Sequence, residues 1–116
     1  MTSITAAQND VVQQMIDQGT ASHTITPEAT DTYVLTQTSG DVTTTFHHLT
    51  RESILHGIQD WADQTLLWEN DLDPELTAGW VTAARAVQAN DWAKVNLQDE
   101  DREIMSYVLD AAVNFL

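Results

Sequence analysis

Carboxylates are the commonest chemistry-bearing groups in this chain, and they cluster as Asp60 with Asp63, Asp71 with Asp73, and Asp99 and Asp101 with Glu103. Paired carboxylates perform acid–base catalysis when a cleft pushes their pKa values apart, leaving one protonated and the other ionised. Each cluster here lies on a polar stretch with no apolar surround, so solvated acids are the stronger reading and an enzyme ranks last. Ser39, Ser53 and Ser106 lack the glycines of a nucleophile elbow, and neither Gly40 nor Gly57 belongs to a phosphate-binding loop. The histidines His23, His47, His48 and His56 raise the question of a metal. A strand end and the following helical turn could bring His47 or His48 together with Glu52 and His56, but no known ligand spacing is matched, and histidines at such a junction are more often hydrogen-bonded or exposed. No metal, cofactor or catalytic group is assigned.

The central stretch runs from Thr50 to Glu75. Ile54, Ile58, Trp61, Ala62, Thr65 and Trp68 recur at three- and four-residue spacing, with Glu52, Gln59, Asp60, Asp63 and Gln64 opposite, which predicts an amphipathic helix. Thr50 is its expected N-cap, and Glu52 stands where the helix dipole favours an anion. Asp73 and Pro74 then supply an N-cap and an N1 residue for a second helix to about Asn90, whose stripe is Leu76, Trp80, Ala83, Ala84 and Val87, with Gly79 expected to permit a close approach.

Before this stretch, Ile4, Ala7, Val11, Val12, Met15 and Ile16 predict a helix closing at Gly19. Ala21 to Thr26 reads as extended, Pro27-Glu28 as a turn, and Asp31–Thr38 and Asp41–His48 as a hairpin about Ser39-Gly40. Tyr33 and Leu35 share one face with Val42, Thr44 and Phe46, leaving the other face largely threonine, so the sheet should be packed on one side. A last helix is expected from Gln98 to Phe115, apolar enough to be held on two faces. Among the tryptophans, Trp61, Trp68 and Trp80 fall on buried stripes, and Trp92, on a connection, is the one candidate contact residue. The expected fold is α+β: an N-terminal helix, an antiparallel sheet of two or three strands, then three helices on one sheet face, forming a single domain over residues 1–116.

Charge narrows the function classes. Eighteen acidic residues face four basic ones, a formal net charge of −14, and the first fifty residues contain no Lys or Arg. Such a chain repels nucleic-acid phosphates and anionic membranes, and its natural partners are basic surfaces. It has no cysteine, no apolar run of about 18 residues, and an N-terminus, MTSITAAQND, unlike a signal peptide, so a cytoplasmic location is expected. Carboxylates three or four apart on a helix stand about 5–6 Å from one another, a separation comparable with neighbouring phosphates along a strand. A row of them can imitate a nucleic-acid backbone. An acidic surface that serves solubility or adaptation to high salt has the same composition.

The order of an N-terminal helix, a small antiparallel sheet and a helix carrying Ser53-Ile54, Gly57, Asp60-Trp61 and Asp63 resembles the small acidic phage-encoded anti-CRISPR proteins, in particular those that imitate DNA and occupy nucleic-acid sites on type I surveillance complexes. The resemblance covers the first two thirds of the chain; the helices from Pro74 onward have no counterpart in it. It implies a role for Asp60 and Asp63 and a location in the host cytoplasm. Extending the acidic row by charge alone adds Glu69, Asp71, Asp73, Glu75, Asp99 and Asp101 as candidate partner-binding residues. The leading expectation is an inhibitor that occupies the basic nucleic-acid-binding site of a target protein. The alternative is an immunity protein or chaperone-like partner that caps a basic toxin or effector.

Overall fold

Alternation of β-branched and polar residues from His23 to Leu49 builds three antiparallel strands in the order β1 (His23–Ala29), β2 (Thr32–Ser39) and β3 (Val42–Leu49). The computed structural model describes residues 4–18, 22–95 and 102–116. Gly40, with φ of 60°, takes the left-handed conformation that a two-residue hairpin loop requires. Pro27 and Glu28 lie within β1 rather than in a turn; the chain reverses at Thr30-Asp31, where Asp31 has φ of 61°. β1 is an edge strand, so a residue without an N–H is tolerated there, and the register shifts between Pro27 and Ala29.

β3 carries a second irregularity. Leu35 pairs with Phe46 and Tyr33 with Leu49, so His47 and His48 together oppose Val34, and His48 adopts φ of 64°. Phe46 and Leu49 are an odd number of residues apart, and a regular strand would send them to opposite faces. The bulge restores the phase. Leu49 is consequently fully buried with Leu35, and Tyr33, Phe46 and Ile25 pack partly buried against the same core. Val42 shares that face, but at the hairpin end it is exposed. Across β2 on the outer face, Glu28 ties the two irregular strands together. Its Oε1 accepts from His47 Nδ1 at 2.8 Å and its Oε2 from the His48 backbone N–H at 3.2 Å.

Four α-helices accompany the sheet among the described residues: α1 (Ala6–Gln18), α2 (Arg51–Leu67), α3 (Pro74–Gln88) and α4 (Arg102–Ala112). α2 starts where the sequence indicates. The Thr50 hydroxyl accepts from Ser53 N–H, and Ser53 Oγ accepts from Thr50 N–H, a reciprocal cap. α3 begins on Asp73, whose Oδ1 accepts from Glu75 N–H, with Pro74 next. It ends at Asn90, which takes φ of 59° while its N–H reaches Val87 O and the Asp91 N–H reaches Ala86 O, a Schellman closure with asparagine in place of glycine. α2 lies between α3 and α4, and its face of Ile54, Leu55, Ile58, Trp61, Ala62 and Thr65 forms the centre of the core.

α4 is held on two faces, with Ile104, Met105, Val108, Leu109 and Ala112 all buried. Its closeness to α2 depends on Gly57, not Gly79. A Cβ at Gly57 would collide with Val108 O and stand 3.1 Å from Ala112 N, whereas one at Gly79 would meet nothing within 4 Å. Arg51 joins three elements: its guanidinium donates to Asn9 Oδ1 at 3.0 Å and Gln13 Oε1 at 2.7 Å on α1, and to Tyr33 Oη at 2.8 Å on β2. No helix among the described residues is long and apolar enough to cross a membrane.

Three tryptophan expectations change. Trp92 is not a contact residue: it is 5% exposed, and its indole N–H donates to Asn90 Oδ1 at 2.7 Å. Trp68 leaves the buried stripe because α2 ends at Leu67; as the C-cap, with φ of −104° and ψ of 17°, it departs from the helical phase and is 55% exposed. Trp80 is half-buried. Phe115 likewise departs from the buried side of α4: the chain passes into a 3₁₀ turn over Val113–Phe115, and the exposed Phe115 ring stacks on His56. Gly19, Ala21 and residues 98–101 of the expected last helix lie outside the described residues, as does the Leu76 side chain.

Candidate functional site

The acids nominated from sequence divide between the two sides of α2. Asp60, half-buried, turns toward α4, where its Oδ2 stands 3.5 Å from Tyr107 Oη. Asp63, exposed, turns toward α3 and accepts from Gln88 Nε2 at 2.9 Å. One turn of helix therefore sends neighbouring carboxylates to different flanks. Glu69, on the 3₁₀ turn Glu69–Asp71 that follows α2, pairs with Arg85 of α3. Asp73 caps α3 with its own side chain, while Asp71 and Glu75 are exposed on either side of it. Asp99 and Asp101 lie outside the described residues.

Among the described side chains, little positive charge reaches this face. Arg85 pairs with Glu69 and Lys94 with Asp91 at 3.3 Å, and Arg51 is turned inward to neutral acceptors. Among the described residues no Lys or Arg forms a salt bridge with Asp60, Asp63, Asp71 or Glu75. Asp63, Asp71 and Glu75 present their charge outward, and Asp60 is half-buried at the edge facing α4.

Beside the acids the structure reveals an element that the sequence reading did not assemble. Trp61, Trp68, Leu72, Trp80 and Tyr107 line an open groove of about 330 Å³ between α2, α3 and α4. Trp68 and Tyr107 supply its exposed edges, 55% and 42% exposed, and the exposed Leu67 adjoins Trp68 in the chain. Burial first, then the charge of Asp60 and its hydrogen bond, raise the pKa of the Tyr107 phenol. A sequence signal for this edge exists in Leu66-Leu67-Trp68. Three consecutive apolar residues at about 100° steps cannot all face one core, so one or more must remain outside.

The histidines take other partners than a shared metal. His47 and His48 contact Glu28, and Glu28 is held below the usual carboxylate range by the His47 hydrogen bond first and the His48 backbone N–H second. His56 stacks on Phe115 with ring centroids 5.1 Å apart. His23 is buried, with Nε2 2.9 Å from Asp110 Oδ1 on α4. Among the described residues no group of three or more His, Asp or Glu converges in metal-holding geometry.

The chain matches no known family model, no curated protein and no solved structure. Its own residues define a small, strongly acidic α+β protein with an aromatic groove set into its acidic helical side.

Proposed function

We propose that this chain is an acidic inhibitor that occupies the basic nucleic-acid-binding site of another protein, with carboxylates on α2 and at the start of α3 standing where phosphates would lie. This is the role implied by its resemblance to DNA-imitating anti-CRISPR proteins, and it is one of binding, not catalysis. The observation that carries it is the lack of internal neutralisation: Asp60, Asp63, Asp71 and Glu75 form no salt bridge among the described residues of a chain with net charge −14. Unneutralised charge of one sign steers a cationic partner over long range, so association should slow as salt rises.

The experiment is a pull-down from host lysate at low salt and at several-fold higher salt, using the unaltered chain and an Asp63→Lys, Asp71→Lys, Glu75→Lys variant. Asp60 and Asp73 are left intact because one adjoins Tyr107 and the other caps α3. The expected result is a salt-sensitive nucleic-acid-binding partner, freed of its DNA or RNA, that the variant fails to capture while its helical circular dichroism is unchanged. Equal capture by the variant would remove the proposal. Capture of a single basic toxin with no nucleic-acid site would instead favour an immunity role, and the aromatic groove beside the acids suits such a protein partner.

A further inference from the structure

We infer that the groove between α2, α3 and α4 receives an arginine side chain of the basic partner, its guanidinium stacked on Trp68 and drawn in by the Asp60 carboxylate beside the Tyr107 edge. This rests on the proposed acidic-surface function and adds the chemistry of the anchor. Trp61, Trp80 and Leu72 form an apolar lining, and Trp68 and Tyr107 offer ring surface at the edges. Indole is the strongest cation–π acceptor among side chains, and a guanidinium, planar and weakly hydrated, stacks on it more readily than an ammonium does.

Charge selects the occupant. The Asp60 carboxylate stands 3.5 Å from the Tyr107 hydroxyl on the groove wall, and no Lys or Arg forms a salt bridge with it among the described residues. A second copy of this chain is a poor occupant because each copy carries −14. A neutral apolar ligand would gain nothing from the acid. A guanidinium uses both features: its face lies on the indole while the carboxylate beside the Tyr107 edge attracts its charge.

The test is NMR titration of the indole N–H resonances with the capped peptide acetyl-Leu-Arg-Leu-amide and with its citrulline counterpart, which keeps the shape and removes the charge. The arginine peptide should shift the Trp68 and Trp80 signals and the citrulline peptide should not. Trp68→Ala should weaken binding roughly twofold to thirtyfold, with Trp68→Phe intermediate and Asp60→Asn also weakened. Because Trp68 is more than half exposed, these variants should keep the native dichroism spectrum. Equal responses to the two peptides, or an unchanged Kd in Trp68→Ala, overturn the assignment. The pull-down with the unaltered chain then reports separately on whether the acidic face binds a basic partner.

Discussion

Alanine at Gly57 should destabilise the protein, against the trend for glycines inside helices. Replacing a mid-helix glycine by alanine ordinarily gains up to about 1 kcal/mol from propensity. At Gly57 the new Cβ would run into Val108 O, with Ala112 N at 3.1 Å and Ala112 Cβ at 3.3 Å. The obstacle is backbone, so no rotamer change relieves it, and α2 and α4 must separate. Overpacking of this kind costs about 1–3 kcal/mol, and because two main chains are forced apart we take the upper part of that range. After the propensity gain the net loss is about 1–2 kcal/mol, a fall in Tm of roughly 4–8 °C for a domain of this size. Gly79→Ala is the internal control: its Cβ meets nothing within 4 Å, so the propensity term acts alone and should raise Tm by about 2–4 °C. Thermal melts of both variants by far-ultraviolet circular dichroism decide the matter. If Gly57→Ala melts at or above the unaltered chain, as Gly79→Ala is expected to, the close α2–α4 approach is not what fixes this glycine.

Arg51→Lys should lower the urea midpoint by the equivalent of about 2 kcal/mol with an unchanged slope, because an ammonium on a flexible stem cannot reproduce the fork that reaches Asn9, Gln13 and Tyr33 together. The Glu28 carboxyl has a lowered pKa in the folded state, so its contribution to stability is present above the ordinary carboxylate range and is lost as pH falls through the lowered value. Glu28→Gln should therefore give a shallower loss of stability between neutral and acid pH, read from denaturant midpoints across that range; an unchanged acid limb would mean that the Glu28–His47 contact does not persist in solution.

Local signals are legible in the sequence. Thr50 and the Asp73-Pro74 pair marked the starts of α2 and α3 because capping is decided within four residues. The misplaced features depend on what comes from elsewhere in the chain. Pro27 looked like a turn residue until β1 proved to be an edge strand. Gly57 and Gly79 are indistinguishable until Val108 and Ala112 are placed against one of them. The bulge at His48 had a signature, since Phe46 and Leu49 are out of phase for a regular strand, but which residue absorbs the extra step is set by pairing with β2. The acids were visible as a list and not as a surface: Asp60 meets Tyr107, Asp63 meets Gln88 and Glu69 meets Arg85, contacts made between separate helices. For the same reason the aromatic groove could not be assembled from spacing alone.

Arg51 also bears on how such an acidic molecule responds to its medium. It holds α1, α2 and β2 together through two amide oxygens and a phenol, without a carboxylate. Bonds from a cation to neutral dipoles are short-ranged, and dissolved ions screen them far less than they screen attraction between separated charges. This joint therefore stays closed at salt concentrations that screen the outer carboxylates. If the proposed complex forms, rising salt would weaken its electrostatic attraction while leaving the seam between helix and sheet intact.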